Sequence, residues 1–451
     1  MRLPFPLLIA GLLASAAVHA AEPEFTVEQL QQDVAFIRKT IDEIHPQPES
    51  SIPREQLDAV LDTARRDLSV PMGRDEAWRV LARLNPPFAD AHFAVVQPEW
   101  RTQAEAFLAS GGAFFPFEVR VTPEGKLFVR SELGGKSSAL AGRRIERING
   151  VPVAQLAPKL LQLAHGDTPQ FRAELMSRRW WFFYWKHHGA PARFTLSIDG
   201  KPLTLAASRA RPEAVVGTRA ADFDQVFRFE LLGKRAALLT INQFLWPDPE
   251  KFHAFTAAAF ARMREAGTTT LLIDVRENGG GDDELWKRGI LPYIATTPYR
   301  HTSAYIKKVL PGRGSETERE GDIVQANYDK WEQPEPGNPL RFGGRVYVLV
   351  GGMTYSSAVL FSNVMQDFGF GKLVGTGGYA RARQSGGLQS RTLPHTGLEL
   401  LVPRMVLDRP AGAAGAVMVQ PDIVLADDPY NRHALVEALL RREGEPPAQA
   451  R

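Results

Sequence analysis

The sequence predicts an α/β chain built from more than one domain, and three observations carry that reading. Its 451 residues exceed what one core of ordinary size organises. Its first hundred residues place apolar side chains at helical period, and its second half alternates apolar β-branched runs with helix-length segments. Composition is that of a globular chain, 44% hydrophobic and 23% charged. The 54 basic residues exceed the 51 acidic ones by a net charge of +3, spread along the chain. That excludes the clustered basic face of a nucleic-acid binder. With no cysteine, disulfides, a thiolate nucleophile and thiolate metal ligands are excluded as well.

The first residues, "MRLPFPLLIAGLLASAAVHA", combine Arg2, the apolar run Leu7 to Leu13 and small residues before Ala21. They read as a signal peptide over residues 1–20, so the expected location is periplasmic or secreted. No cysteine follows the apolar run, and no later run of 18 apolar residues occurs, so neither a lipid anchor nor stable membrane insertion is expected.

Residues 25–105 predict a helical N-terminal domain. Leu30, Val34, Ile37, Ile41 and Ile44 fall on one helical face, and Thr26 with Gln29 makes a capping box. Two further amphipathic stretches follow, bounded by the prolines of "HPQPESSIPREQL" and by Pro71. Residues 111–207 predict short strands at "FPFEVRV", "KLFVRSE" and "RRIERING", a helix at "VAQLAPKLLQLA" and a hairpin turning at Asp199-Gly200. That order resembles a PDZ domain. One segment is foreign to it: "QFRAELMSRRWWFFYWKHH" reads as a helix that packs against a neighbour or walls an apolar substrate. Residues 222–440 predict strand–helix–strand units, with buried strands at "TTLLIDV" and "RVYVLV" and a long polar stretch, 297–344, between them.

Chemistry concentrates at the ends of those two strands. "LLIDVRENGGGDDELW" sets three glycines after a strand, where backbone amides approach a reacting oxygen closely. The lysine of a phosphate loop is absent, and Asp282, Asp283 and Glu284 suit a helix N-terminus better than a phosphate. "GGMTYSSAVLF" sets Ser356 and Ser357 before an apolar helix, as a helix cap or as a nucleophile followed by an oxyanion-binding amide. A serine nucleophile needs a base near neutrality, and His92, beside Asp90 in "FADAHFAVV", is the candidate. As a base it would give activity an inflection near 6.5. No HExxH or other ligand cluster suggests a metal, and no cofactor is implied.

"LLIDVRENGGG" resembles the LxxDxRxNxGG motif of the C-terminal processing (tail-specific) serine peptidases. "GGMTYSSAVLFSNVMQDFGFGKLVG" resembles their nucleophile segment, and "NPPFADAHF" the element bearing the base in the histidine-using, tricorn-core-like branch. The resemblance spans about residues 25–440 and implies a tail-specific-protease-like catalytic domain over 222–440. It implies Ser356 as nucleophile, His92 as base and an oxyanion hole from the amides of Ser357 and of Gly280 or Gly281. The lysine branch has its base 25 residues after the serine; that position is Arg381, which stays protonated. Where histidine branches keep a glutamate that orients the imidazole, this sequence has Gly415, which leaves Asp408 as the possible orienter. Pro116 stands where a PDZ carboxylate loop would supply an amide. The expected function is an exported serine endopeptidase acting on peptides or proteins. The alternative is a catalytically inactive relative that binds peptides or apolar small ligands.

Overall fold

A computed structural model describes residues 24–217, 219–412 and 417–444. The segment read as a signal peptide lies outside the described residues, as does Gly415. Among the described residues no helix is long and apolar enough to cross a membrane.

The helix Val27–Ile44 begins at Thr26, whose hydroxyl accepts the Gln29 amide while the Gln29 side chain accepts the Thr26 amide. Such a reciprocal cap contributes about 1 kcal/mol. Its buried face is the expected row, Leu30, Val34, Ile37, Ile41 and Ile44. The helices Arg54–Asp67 and Arg74–Leu81 follow. Their apolar faces do not close on themselves alone. One continuous core joins Val34 and Trp78 to Phe93, Phe194 and Leu400, so these helices share a core with two sheets.

The first of those sheets is antiparallel and runs in the order Phe117–Val121, Leu127–Glu132, Arg144–Ile148, Arg193–Ile198, Lys201–Ala206, with Val151–Pro152 beside Arg144–Ile148. The helix Pro169–His188 packs on Phe117–Val121. Its Trp180, Trp181, Phe182, Phe183 and Tyr184 are buried in the shared core, so these aromatics pack rather than wall a substrate. Helical geometry breaks at Arg179 (φ −123°, ψ 18°), which re-aims the side chains on either side of the kink.

The second antiparallel sheet is organised by the strand Glu399–Leu407. One of its edges pairs with Ala94–Val96 and Ala304–Lys308, and the other pairs along its whole length with Gln384–Thr392. Part of the long polar stretch is thereby ordered: Ala304–Lys308 and Ile323–Asn327 form a hairpin on this sheet.

The third sheet runs in the order Ile423–Val424, Lys372–Gly375, Arg345–Val350, Thr270–Asp274, Ala236–Ile241, Phe227–Leu232. All neighbours are parallel except the edge pair Phe227–Leu232 with Ala236–Ile241. Thr270–Asp274 is buried at every position, which explains its unbroken apolar run. Helices Pro249–Ala266 and Ser357–Asp367 cover it. In such sheets the loops leaving the carboxyl ends of the strands line the ligand crevice. Here those loops are 275–282 and 351–356.

Candidate active site

Two loops at adjacent strand ends are stitched together through their backbones. Val275 N–H bonds to Leu349 C=O at 3.0 Å, Met353 N–H to Arg276 C=O at 3.2 Å, and Tyr355 N–H to Asn278 C=O at 3.0 Å. The Thr354 hydroxyl donates to Val275 C=O at 2.8 Å. Beneath them Arg276 forms a buried ion pair with Asp274, Nη2 to Oδ2 2.8 Å, and a second with Asp427 at 2.6 Å. Asp274 is held below the ordinary carboxylate range because Arg276 outweighs the cost of burying it. The DxRxN residues of the glycine motif are therefore anchors of the loop.

The stitching forces Ser356 into a left-handed conformation, φ 52° and ψ −126°, which only glycine adopts without cost. Strain of this kind, about 1–3 kcal/mol, is held by its surroundings and gathers at reacting groups. Gly280 lies directly opposite. A Cβ on it would sit 2.5 Å from Ser356 Cβ, and its φ is +103°. Only glycine fits.

His92 Nε2 lies 2.9 Å from Ser356 Oγ. Its other ring nitrogen, Nδ1, lies 2.9 Å from Ser385 Oγ, and the Ser385 hydroxyl donates to Asp90 Oδ1 at 2.8 Å. The single hydroxyl proton of Ser385 goes to the carboxylate, so Ser385 accepts from Nδ1–H. That leaves Nε2 as an acceptor facing the Ser356 hydroxyl. Asp90 Oδ1 also accepts the backbone N–H of His92 at 2.8 Å, which ties the imidazole's own backbone to the same carboxylate. Burial pushes His92 below the ordinary imidazole value, and the charge of Asp90 opposes this.

Behind Asp90 lies a second buried carboxylate. Tyr355 donates to Asp167 Oδ1 at 2.7 Å and reaches Asp90 Oδ1 at 3.4 Å. Asp167 also accepts the amides of Ala91 and Arg381. Burial and the nearby charge of Asp90 raise the pKa of Asp167. His165 Nδ1 sits 3.0 Å from Ala91 C=O and stays neutral, its pKa pushed down to about 3 by burial.

The two adjacent serines have different surroundings. Ser357 Oγ accepts from Trp286 Nε1 at 2.9 Å and donates to Asp283, which fastens it to the helix Asp283–Gly289. Its amide, in the first turn of the helix Ser357–Asp367, is one of the donors that such a helix leaves unpaired. The glycine amides are not equivalent either. Gly280 N–H donates to Asn278 Oδ1 at 2.8 Å, so it is already used. At Gly281 the bridge to Phe244 employs the flanking Gly280 C=O and Asp282 N–H. In that pattern the Gly281 N–H points away from Phe244.

Asp408, the expected orienter, does not reach the imidazole: its carboxylate bonds to Arg383 Nε at 2.6 Å. Ser385 with Asp90 occupies the position given to it. Asp90 is in plain view two residues before His92, but Ser385 lies in the polar strand "QSGGLQSRT", where nothing marks one serine over another. Lys372 is exposed at the start of its strand. Arg381 Nη1 bonds to Ser51 at 3.2 Å. Among the described residues no group of three or more His, Asp or Glu side chains is placed to hold a metal.

A hydroxyl paired to a neutral imidazole, at a strained turn facing a glycine loop, is the arrangement that acyl transfer by a serine hydrolase requires. Residues 235–425, which include both stitched loops, match the model of peptidase family S41. Over that segment the chain is similar to the peptidases of this family, and it reads as a serine peptidase. Its fold is similar to that of mature CPAF, with 15% identity and a TM-score of 0.63, over 91% of this chain and 96% of that one. The complex of mature CPAF with lactacystin gives 15% identity and a TM-score of 0.64, over 92% and 97%. No curated protein matches the chain significantly in sequence.

Proposed function

We propose that this serine peptidase is an exported endopeptidase in which Ser356 is the nucleophile and His92 the general base. The observation that carries the reading is the 2.9 Å contact between His92 Nε2 and Ser356 Oγ at a strained turn. Ser356 Oγ attacks a peptide carbonyl while Nε2 takes its proton, and the imidazolium then protonates the leaving amine. Water repeats the sequence on the acyl-enzyme. Ser385 and Asp90 hold the ring with Nδ1 protonated and stabilise the cation that forms. The amides of Ser357 and Gly281 are suited to bind the oxyanion, with Gly280 providing the room. Export is supported by the charged, apolar and small-residue pattern of residues 1–20.

A fluorophosphonate probe tests the reading directly. Labelling at Ser356, lost in His92→Ala, is the expected result. Labelling elsewhere, or none in the intact protein, overturns it. N-terminal sequencing of the secreted protein is expected to begin near Ala21, and a mature chain starting at Met1 overturns export.

A further inference from the structure

Beside the glycine loop the surface opens into a cleft of about 720 Å³, reached by Gly279, Gly280 and Met353. Its walls carry five arginines, Arg101, Arg178, Arg179, Arg228 and Arg432, against three carboxylates. Two of those carboxylates are spent: Glu277 on Arg178, and Glu213 on Arg130. The third, Asp224, is exposed. Among the described residues, no carboxylate pairs with Arg101, Arg179, Arg228 or Arg432, so the cleft wall carries an uncompensated positive charge.

Two of the four are held in fixed positions. The guanidinium carbons of Arg101 and Arg179 lie 4.4 and 4.3 Å from the ring centre of Trp100. Stacking on an indole fixes the plane of a guanidinium. Arg101 Nε donates to Ala214 C=O at 3.3 Å, which leaves its terminal N–H groups and the fork of Arg179 to meet a carboxylate. Arg179 is delivered there by the kink in its helix. Its pKa is pushed down by burial and by the charges of Arg101 and Arg178. An arginine does not answer such a field by losing its proton, so an anion is what relieves it.

We propose that this cleft is a specificity subsite for an acidic side chain, Asp or Glu, of the peptide substrate, with Arg179 and Arg101 as its readers. The inference rests on the peptidase reading above, because Gly280 is both a wall of the cleft and the residue packed against Ser356. A carboxylate bound there places the chain of the same peptide alongside the glycine loop. A free C-terminus would present the same chemistry, and the test separates the two sources.

The probes are neutral decapeptides with both termini capped, carrying a neutral fluorophore and one Glu at each position in turn, with Gln counterparts. Binding to Ser356→Ala is read by anisotropy, so the result does not depend on turnover. At one position Glu is expected to bind about tenfold or more tighter than Gln, as charge-assisted hydrogen bonds allow. The advantage is expected to shrink as salt rises. Arg179→Gln and Arg101→Gln, each added to Ser356→Ala, are expected to bring the Glu/Gln ratio close to one, and Arg179→Glu to invert it. A ratio near one at every position overturns the subsite, as does a ratio that both glutamine variants leave unchanged. A gain confined to uncapped neutral peptides overturns the side-chain source. Failure of the intact enzyme to cleave any of the peptides counts against the Ser356–His92 reading and leaves the binding comparison standing.

Discussion

The proposed nucleophile and the proposed base reach the site by different routes. Ser356 and the glycine loop leave neighbouring parallel strands, Arg345–Val350 and Thr270–Asp274, paired residue for residue from Thr270 with Arg345 to Asp274 with Leu349. Backbone hydrogen bonds and an ion pair between motif residues then set their geometry. His92 and its partner Ser385 come instead from opposite edges of Glu399–Leu407, in another sheet. They are 293 residues apart and meet through side chains alone. The first half is therefore rigid by backbone construction, and the second depends on a relay of single hydrogen bonds. Removal of the nucleophilic hydroxyl is expected to stop the reaction, and a change in the Ser385–Asp90 relay to tune it.

The largest effect is expected from Ser356→Ala, which removes the attacking oxygen and lowers kcat on a peptide substrate by at least about 10⁴-fold. Ser357→Ala keeps its amide and is expected to lose only about tenfold. A dead Ser357 variant beside an active Ser356 variant would reverse the two roles. Next comes His92→Ala, at about 10²–10⁴ in kcat, the usual contribution of a general base. Near-normal turnover in that variant would remove His92 from the mechanism.

Gly280→Ala tests whether the nucleophile half is rigid. Its Cβ would meet Ser356 Cβ at 2.5 Å and Tyr355 C=O at 2.9 Å, on a backbone with φ +103°. We expect a loss on the order of 10²–10³ in kcat, from displaced oxyanion donors, together with a lower Tm. Full activity would mean that the two loops can part, which the stitched backbone argues against.

The relay is probed most gently. Ser385→Ala is expected to lower kcat by about tenfold and to move the acid limb of the pH profile further down, because the imidazolium loses its link to Asp90. An unchanged profile would make Ser385 a bystander. In the proposed mechanism the neutral imidazole is the active form. Burial lowers the pKa of His92, so kcat/KM is expected to rise through an inflection below 6.5, not at it. An inflection above 6.5 would show that Asp90 outweighs burial.

Much of the nucleophile half is legible in the sequence because its signals are local. An apolar run that turns into glycines or serines marks a strand end at a crevice, and Asp274, Arg276 and Asn278 lie within one turn of chain. His92 stands out by its type and by Asp90 beside it. Other points need the fold. By sequence Asp408 is as plausible as Ser385, yet it pairs with Arg383. Gly280 and Gly281 read alike, but the Asn278 side chain uses one amide and not the other. The aromatic segment after Gln170 conceals the arginine at its kink.

The sequence by itself determined the α/β class, the strand–helix–strand units, the capped first helix and the pair of serines at a strand end. These follow from periodicity and turn chemistry, which act over a few residues. Tertiary structure alone decided which hydroxyl orients the imidazole, which glycine amide stays unpaired and where the unpaired arginines gather. Those depend on the register between strands far apart in the chain, and a shift of one residue turns every side chain to the opposite face.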